Sequence, residues 1–434
     1  MRINTISSYI KLTNLIYIFP IILVFSKFIA EVFILSIFFY LLLFKGEKTI
    51  EIIKRDTFLK YFLFYIIVLI IISFFSLDLF SSLKRSLTFF RFLLFIVFLK
   101  YFFFTDEKKL TKYLLITSIF LIILSSDIIY QYFFGKDLLG FPNASYGMRN
   151  SGFFGDEFIA GGYINLFFFP CLLLFKIKKF RIIPFLLLIL YPSTILFTGE
   201  RSSFFLMILG LILATPFLFK YKNSLSSLFI SLILMSIVFL NIPKVKERIV
   251  ETTLGQISKG YDEKYFESES FVKEYENNSK SKKNDIAFFN SGWGAHFLTS
   301  FEIFKDNPVT GSGLKTFRKI CSEKKYEKIK SLNFENRCAT HPHQIYLEIL
   351  SETGIIGSSI FIILIIILIR NIHSSFLLQK SEYRSILLIL TPIILKLWPL
   401  TTTGSFFTNF NLITFSFCLG LALSMNNIDF KKIN

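Results

Sequence analysis

The sequence predicts an all-α, polytopic membrane protein of about 12 transmembrane helices, with one large helical loop outside the membrane between spans 9 and 10. Three observations predict it. The 434-residue chain is 53% hydrophobic, with a mean hydropathy of +0.60 and 58 Phe. Its apolar runs, about 16 to 25 residues long, suit helices crossing roughly 30 Å of hydrocarbon. One long polar segment, residues 243–344, interrupts them. In hydrocarbon, backbone polar groups must be satisfied within the segment, which leaves helices or a closed barrel. The runs are nearly continuous in Ile, Leu and Phe without period-two alternation, which argues against a barrel.

The predicted spans are 12–27, 28–44, 61–77, 86–104, 113–134, 158–175, 182–197, 203–219, 225–242, 345–369, 385–401 and 407–425. The first run lacks a small-residue cleavage site and is followed directly by the second, so it reads as a retained span. The chain thus divides into a transmembrane region over 1–242, a loop domain over 243–344 and a transmembrane region over 345–434. Loops after the even spans are basic, as at Lys54-Arg55, Lys108-Lys109 and Lys176 to Arg181. Positive charge stays inside, so both termini are expected in the cytoplasm and the long segment outside. The same rule accounts for much of the net charge of +18 without a nucleic-acid partner. Membrane lipid is the expected surrounding.

Within the long segment, residues 255–285 are rich in Lys, Glu, Ser and Asn and read as solvated. Phe288 to Phe304 predicts an amphipathic helix against the membrane face. Asn307 to Gly313 predicts a turn, and Leu314 to Ile329 a second helix.

The chemistry is expected on the outer face. Cys171 and Cys418 lie in spans, as ordinary apolar side chains. Cys321 and Cys338 lie in the outer segment, where an oxidising compartment favours a disulfide. Zinc held by these two with His341 and His343 is the alternative, but the spacing fits no structural zinc pattern, and no metal site is expected. Arg149 and Arg201 stand in glycine-bearing turns on the translocated side, where orientation gives no reason for positive charge. Arginine is suited to bidentate capture of phosphate oxygens. Arg85 and Arg91 open the fourth span and could add to them. Lys27 and Lys396 read as snorkelling side chains. His341 and His343 end the long segment, with Gln344, Tyr346 and Glu348 following. A neutral imidazole can take a hydroxyl proton near neutral pH. His343 is the expected base, with His341, Gln344 and Tyr346 near the substrate, while His296 and His373 are expected to be structural.

These residues resemble the O-antigen ligase and O-antigen polymerase superfamily of polytopic glycosyltransferases. The resemblance rests on Arg149-x-x-Gly152-x-x-Gly155, on the Gly199-x-Arg201-Ser turn, and on His343-Gln344-x-Tyr346-Leu347-Glu348 followed by Glu352-Thr-Gly354-x-x-Gly357. Gln344 stands where the family commonly has Asn, and Asp156-Glu157 replace an Asn-rich stretch. The resemblance implies a GT-C-like membrane fold in the bacterial inner membrane, with the site facing the periplasm. It implies transfer of a glycan from undecaprenyl diphosphate to an acceptor hydroxyl, without a metal ion or other cofactor. Ligation to a lipid A-core sugar is the expected reaction. Polymerisation of lipid-linked repeat units, or transfer to protein, is the alternative. A transporter of lipid-linked glycans fits less well, because the charges gather at the outer surface rather than along a midplane path.

Overall fold

The computed structural model describes residues 12–258 and 284–433. The solvated stretch expected over 255–285 falls mostly outside the described residues. Those described are mostly helical, with only two isolated β-bridges, Lys136 to Pro142 and Ala144 to Arg149. Helices longer than seven residues are α1 Lys27–Arg55, α2 Thr57–Ser73, α3 Leu79–Phe98, α4 Glu107–Phe134, α5 Ala160–Cys171, α6 Ile182–Thr198, α7 Arg201–Leu218, α8 Lys222–Asn241, α9 Gly292–Asp306, α10 Ile345–Leu378, α11 Tyr383–Lys396 and α12 Asn409–Leu423.

Polar residues at the ends of apolar runs set where many of these helices begin. Ser26, Asp56, Asp78, Asp106, Ser291, Gln344 and Thr408 each accept a first-turn N–H with the side chain. Such caps satisfy donors that a helix leaves open at its N-terminus.

Among the described residues, six helices are long and apolar enough to cross a membrane: α1, α3 with its continuation to Phe103, α4, α7, α8 and α10. This is fewer than the twelve runs read from hydropathy. α2 and α6 have 17 residues each, α11 has 14 and α12 has 15. The apolar stretch around α5 tightens into a 3-10 turn from Leu172, just after Pro170. α2 stops at Ser73, and Leu77 instead donates its N–H to the carbonyl of Ser312 at 2.9 Å. Hydropathy continues through these positions but the hydrogen-bond ladder does not. α1 bends at Lys45, where the apolar run gives way to charge.

Consecutive helix ends gather at opposite faces. One face joins Lys100 to Asp56 at 2.5 Å and Lys176 to Glu382 at 2.9 Å, and Gln379 reaches the Ile428 carbonyl at 2.9 Å. The other carries the described part of the long segment. Between them, close approaches and buried polar bonds pack the helices. A side chain at Gly210 of α7 would overlap the ring of Phe169 in α5. Asn165 of α5 donates to the Ser203 carbonyl of α7 at 2.8 Å and accepts from Tyr191 of α6 at 2.6 Å.

The long segment is stitched into α10. Gly354 has φ +62 and breaks the helix. Ile355 and Ile356 donate to the carbonyls of Pro308 and Val309, at 2.9 and 3.2 Å. The carbonyls of Ser351 and Glu352 in turn accept from Ser312 and Gly313, both at 2.9 Å. A Cβ on Gly354 would lie 2.3 Å from the Val309 carbonyl oxygen, so only glycine admits this contact. The expected turn at 307–313 is therefore the part that completes α10. The expected amphipathic helix is α9, which packs on the start of α10 through Ser300, bonded to the Leu347 carbonyl at 3.0 Å. The second helix expected over Leu314–Ile329 is reduced to one turn, Phe317–Ile320, and a 3-10 turn at Lys324–Lys328. Here Glu352 draws backbone donors outward, accepting from Lys315 at 2.6 Å and Phe317 at 3.3 Å.

Candidate active site

The histidine segment enters α10 through Gln344. Its Oε1 caps the Leu347 N–H at 2.7 Å and its Nε2 donates to the Pro399 carbonyl at 3.2 Å. Both ends of the amide are engaged in the fold. Tyr346 donates its hydroxyl to the Leu397 carbonyl at 2.6 Å. Glu348 is buried and accepts from the Ser405 hydroxyl at 2.5 Å and the Phe406 N–H at 2.7 Å. Gln344, Tyr346 and Glu348 thus hold the connection from α11 to α12.

Immediately before this cap, His343 adopts φ +60, a left-handed conformation that costs a non-glycine residue about 1–2 kcal/mol. Thr403 offsets it by donating its N–H to the His343 carbonyl at 2.8 Å. The two histidines differ in their surroundings. His341 is buried, with Nδ1 2.8 Å from the Thr340 hydroxyl and Nε2 3.1 Å from the Thr403 carbonyl. With Nε2 donating to that carbonyl, Nδ1 accepts from Thr340, and the neutral ring is fully engaged. His343 is half-buried against three rings: His341 at 3.9 Å, Trp293 at 4.6 Å and His296 at 5.3 Å between centroids. Burial first, then His341 and His296, lowers His343 to about 3. Burial, with Lys315, His296 and Arg318, lowers His341 to about 4 against the bond to Thr403. Both rings are neutral at physiological pH.

His296 belongs to this cluster, which sequence spacing gave no means of seeing because it lies on α9. Its Nδ1 is 3.1 Å from the Arg337 carbonyl. Arg337 reaches the carbonyls of Cys321 and Ser322 at 3.1 and 3.2 Å. Cys321 and Cys338 are joined in a disulfide, with Cα atoms 5.3 Å apart. The disulfide thus anchors the segment that carries His296's partner. Among the described residues, no group of three or more His, Cys, Asp or Glu is placed to hold a metal ion.

The arginine turns meet each other. Arg149 closes a tight hairpin, its backbone paired with Ala144 at 2.9 and 3.1 Å. Gly199, φ +64, sits so close that a side chain there would overlap the Met148 carbonyl. Asn150 donates to the Phe197 carbonyl at 2.7 Å, fixing the same junction. The Arg149 guanidinium lies 4.1 Å over the Phe158 ring, and that of Arg201 bonds Gln256 at 3.0 Å. A further cation, Arg248, donates to the Gly199 carbonyl at 3.2 Å. Nothing in its sequence neighbourhood singles it out.

One element links the two poles. In the α11–α12 connection, Thr402 shares a 2.6 Å hydroxyl bond with Ser202, the residue after Arg201. The next residue, Thr403, holds both histidines.

Arg85 and Arg91 gather nearby on α3. Both donate to the Asn409 side-chain oxygen, at 2.6 and 3.0 Å. They differ in their partners: Arg91 is also paired with Glu31 at 2.6 Å, while Arg85 bonds the neutral amide of Asn409. Lys27 is paired with Glu157, and Lys396 bonds Asn411 at 2.6 Å, so both have specific partners where snorkelling was expected. His373 stands on α10 beyond its apolar stretch, away from this face.

Residues 184–362 match the family model described as O-antigen ligase. The match supports the resemblance to the O-antigen ligase and polymerase superfamily and spans α6 to the first half of α10, including Arg201, His341 and His343. Members of this family are glycosyltransferase-like ligases and polymerases, which supports an enzyme of that general kind. Lipid-linked glycan and acceptor substrates are implied in general terms. No curated protein matches the chain.

Proposed function

We propose that this protein is an inner-membrane, outer-face glycosyltransferase that moves a polysaccharide from undecaprenyl diphosphate to a sugar hydroxyl of lipid A-core. In this reading the shorter apolar helices complete about twelve crossings in a GT-C-like arrangement. Residues 1–242 and 345–434 form the membrane regions, both termini are cytoplasmic, and 243–344 are periplasmic.

His343 takes the proton from the acceptor hydroxyl. The freed oxygen attacks the anomeric carbon opposite the diphosphate, the carbon–oxygen bond to the diphosphate breaks, and configuration inverts. Negative charge grows on the leaving diphosphate, and preorganised cations lower that barrier most. Arg149 and Arg201 fill this role, with Arg85 third. Arg91 is less suited, because Glu31 already balances it. An imidazole of low basicity is a weak base in the free protein, but an arriving diphosphate favours its protonated form and raises its proton affinity.

The observation that carries the proposal is the link from Arg201 through Ser202 and Thr402 to Thr403 and His343, which puts both poles on one face. The test uses purified protein in nanodiscs with a lipid-linked glycan donor. Glycan appearing on added lipid A-core supports ligation. Lengthened lipid-linked glycan alone would replace it with polymerisation. No transfer in either arm would overturn the enzymatic reading.

A further inference from the structure

We propose that Trp293 is the platform on which the acceptor's sugar ring stacks while one of its hydroxyls faces His343. The inference rests on the glycosyl-transfer reading and names its acceptor subsite. Trp293 stands in the first turn of α9, half-buried, with its ring 4.6 Å from His343 at an interplanar angle of 75°. It is a large aromatic surface directly against the proposed base.

Its position is fixed from three sides. Ser291 caps the helix by accepting the Gly294 N–H at 3.1 Å. Gly294 lets the helix start close on Phe288 and Phe289, since a Cβ there would fall 2.3 Å from the Phe288 carbonyl oxygen. One turn on, His296 is held by the Arg337 carbonyl. Gly292, just before Trp293 at the start of the helix, is itself uncrowded, as a Cβ there would meet nothing within 4 Å. A partly exposed indole on a fixed helix start, in ring contact with His343 and His296, is an aromatic surface on which a ligand ring can stack.

The chemistry selects a sugar. One face of a pyranose presents C–H groups with slight positive charge, and an aromatic face is negative. The same face repels a diphosphate, which the arginines attract. Trp293 and the arginines therefore sort acceptor from donor at opposite poles.

The chain has two Trp. In Trp398→Phe, Trp293 is the sole indole, and its emission is titrated with delipidated core oligosaccharide and, separately, with the donor's free repeat-unit oligosaccharide. A saturable shift with either is expected, and no response to both would overturn the platform. In the transfer assay, Trp293→Ala is expected to raise KM for the acceptor about tenfold to a hundredfold, the size of one aromatic stacking contact. Trp293→Phe should recover most of this, and donor KM should hold. Wild-type acceptor KM in Trp293→Ala, or equal loss for donor and acceptor as expected of a mere interfacial anchor, would overturn it. If the sugar shifts emission and no variant transfers glycan, the transfer reading fails and the platform stands.

Discussion

Acidification tests the proposed base most sharply. An unperturbed imidazole near pKa 6.5 is about 3% neutral at pH 5, so a His343 with ordinary basicity would lose roughly 30-fold in rate between pH 8 and pH 5. In the structure, burial and two neighbouring imidazoles lower His343 to about 3. The base-competent neutral form then persists throughout that range and is lost only as pH approaches 3. The expected result is a kcat/KM for donor, at saturating acceptor, that is flat within about twofold from pH 8 to 5. The kcat profile should bend at higher pH than kcat/KM, because kcat reports the complex, where the diphosphate stabilises the imidazolium. The sign for stability is opposite in consequence. An unfolded histidine binds its proton near 6.5, so stability declines as pH falls below that value. Melting must therefore be followed in parallel, to separate unfolding from loss of base. A 30-fold fall in kcat/KM centred near 6.5, in protein still folded, would refute the placement of His343 in this dry cluster.

His343→Ala is expected to lose 10²–10⁴-fold in transfer while retaining donor binding. His341→Ala should instead lower thermal stability by about 1–3 kcal/mol, since both ring nitrogens bond within the fold; a reversed pattern would reassign the base. Arg149→Ala and Arg201→Ala should each slow transfer about tenfold to a hundredfold, with Lys a poor replacement, as one charge-assisted contact is lost; wild-type turnover in the double variant would reject the donor assignment. Arg91→Ala leaves Glu31 unpaired in a site only 15% exposed and should cost about 3–5 kcal/mol in melting experiments, while Arg85→Ala should slow transfer with less effect on melting.

The helical, membrane-bound character was legible because apolarity is a local property of composition. The number of crossings was not, because a run such as 61–77 stays apolar past Ser73 while its backbone turns to bond Ser312. The motif glycines could be picked out in sequence, and the structure supplies their reasons in the contacts of Gly199 with Met148 and of Gly354 with Val309. Arg149, Arg201 and His343 stood out because their residue types were unusual for their places. Arg248, Asn409, Trp293 and His296 did not, since each gains its role from a partner over forty positions away. Gln344 and Tyr346 looked like substrate ligands by proximity to His343, but their polar atoms face the α11–α12 connection.

The stitched break at Gly354 bears on how the protein is made. A span normally finishes its own backbone bonding as it enters the bilayer. α10 cannot, because two of its amides and two of its carbonyls find their partners in residues 308–313. Those residues leave the ribosome earlier and, in the proposed topology, cross the membrane ahead of it. The bonding of the tenth helix is therefore complete only when residues 308–313 are in place beside it, and a chain in which they were displaced would leave that helix with open polar groups for quality-control proteases to find.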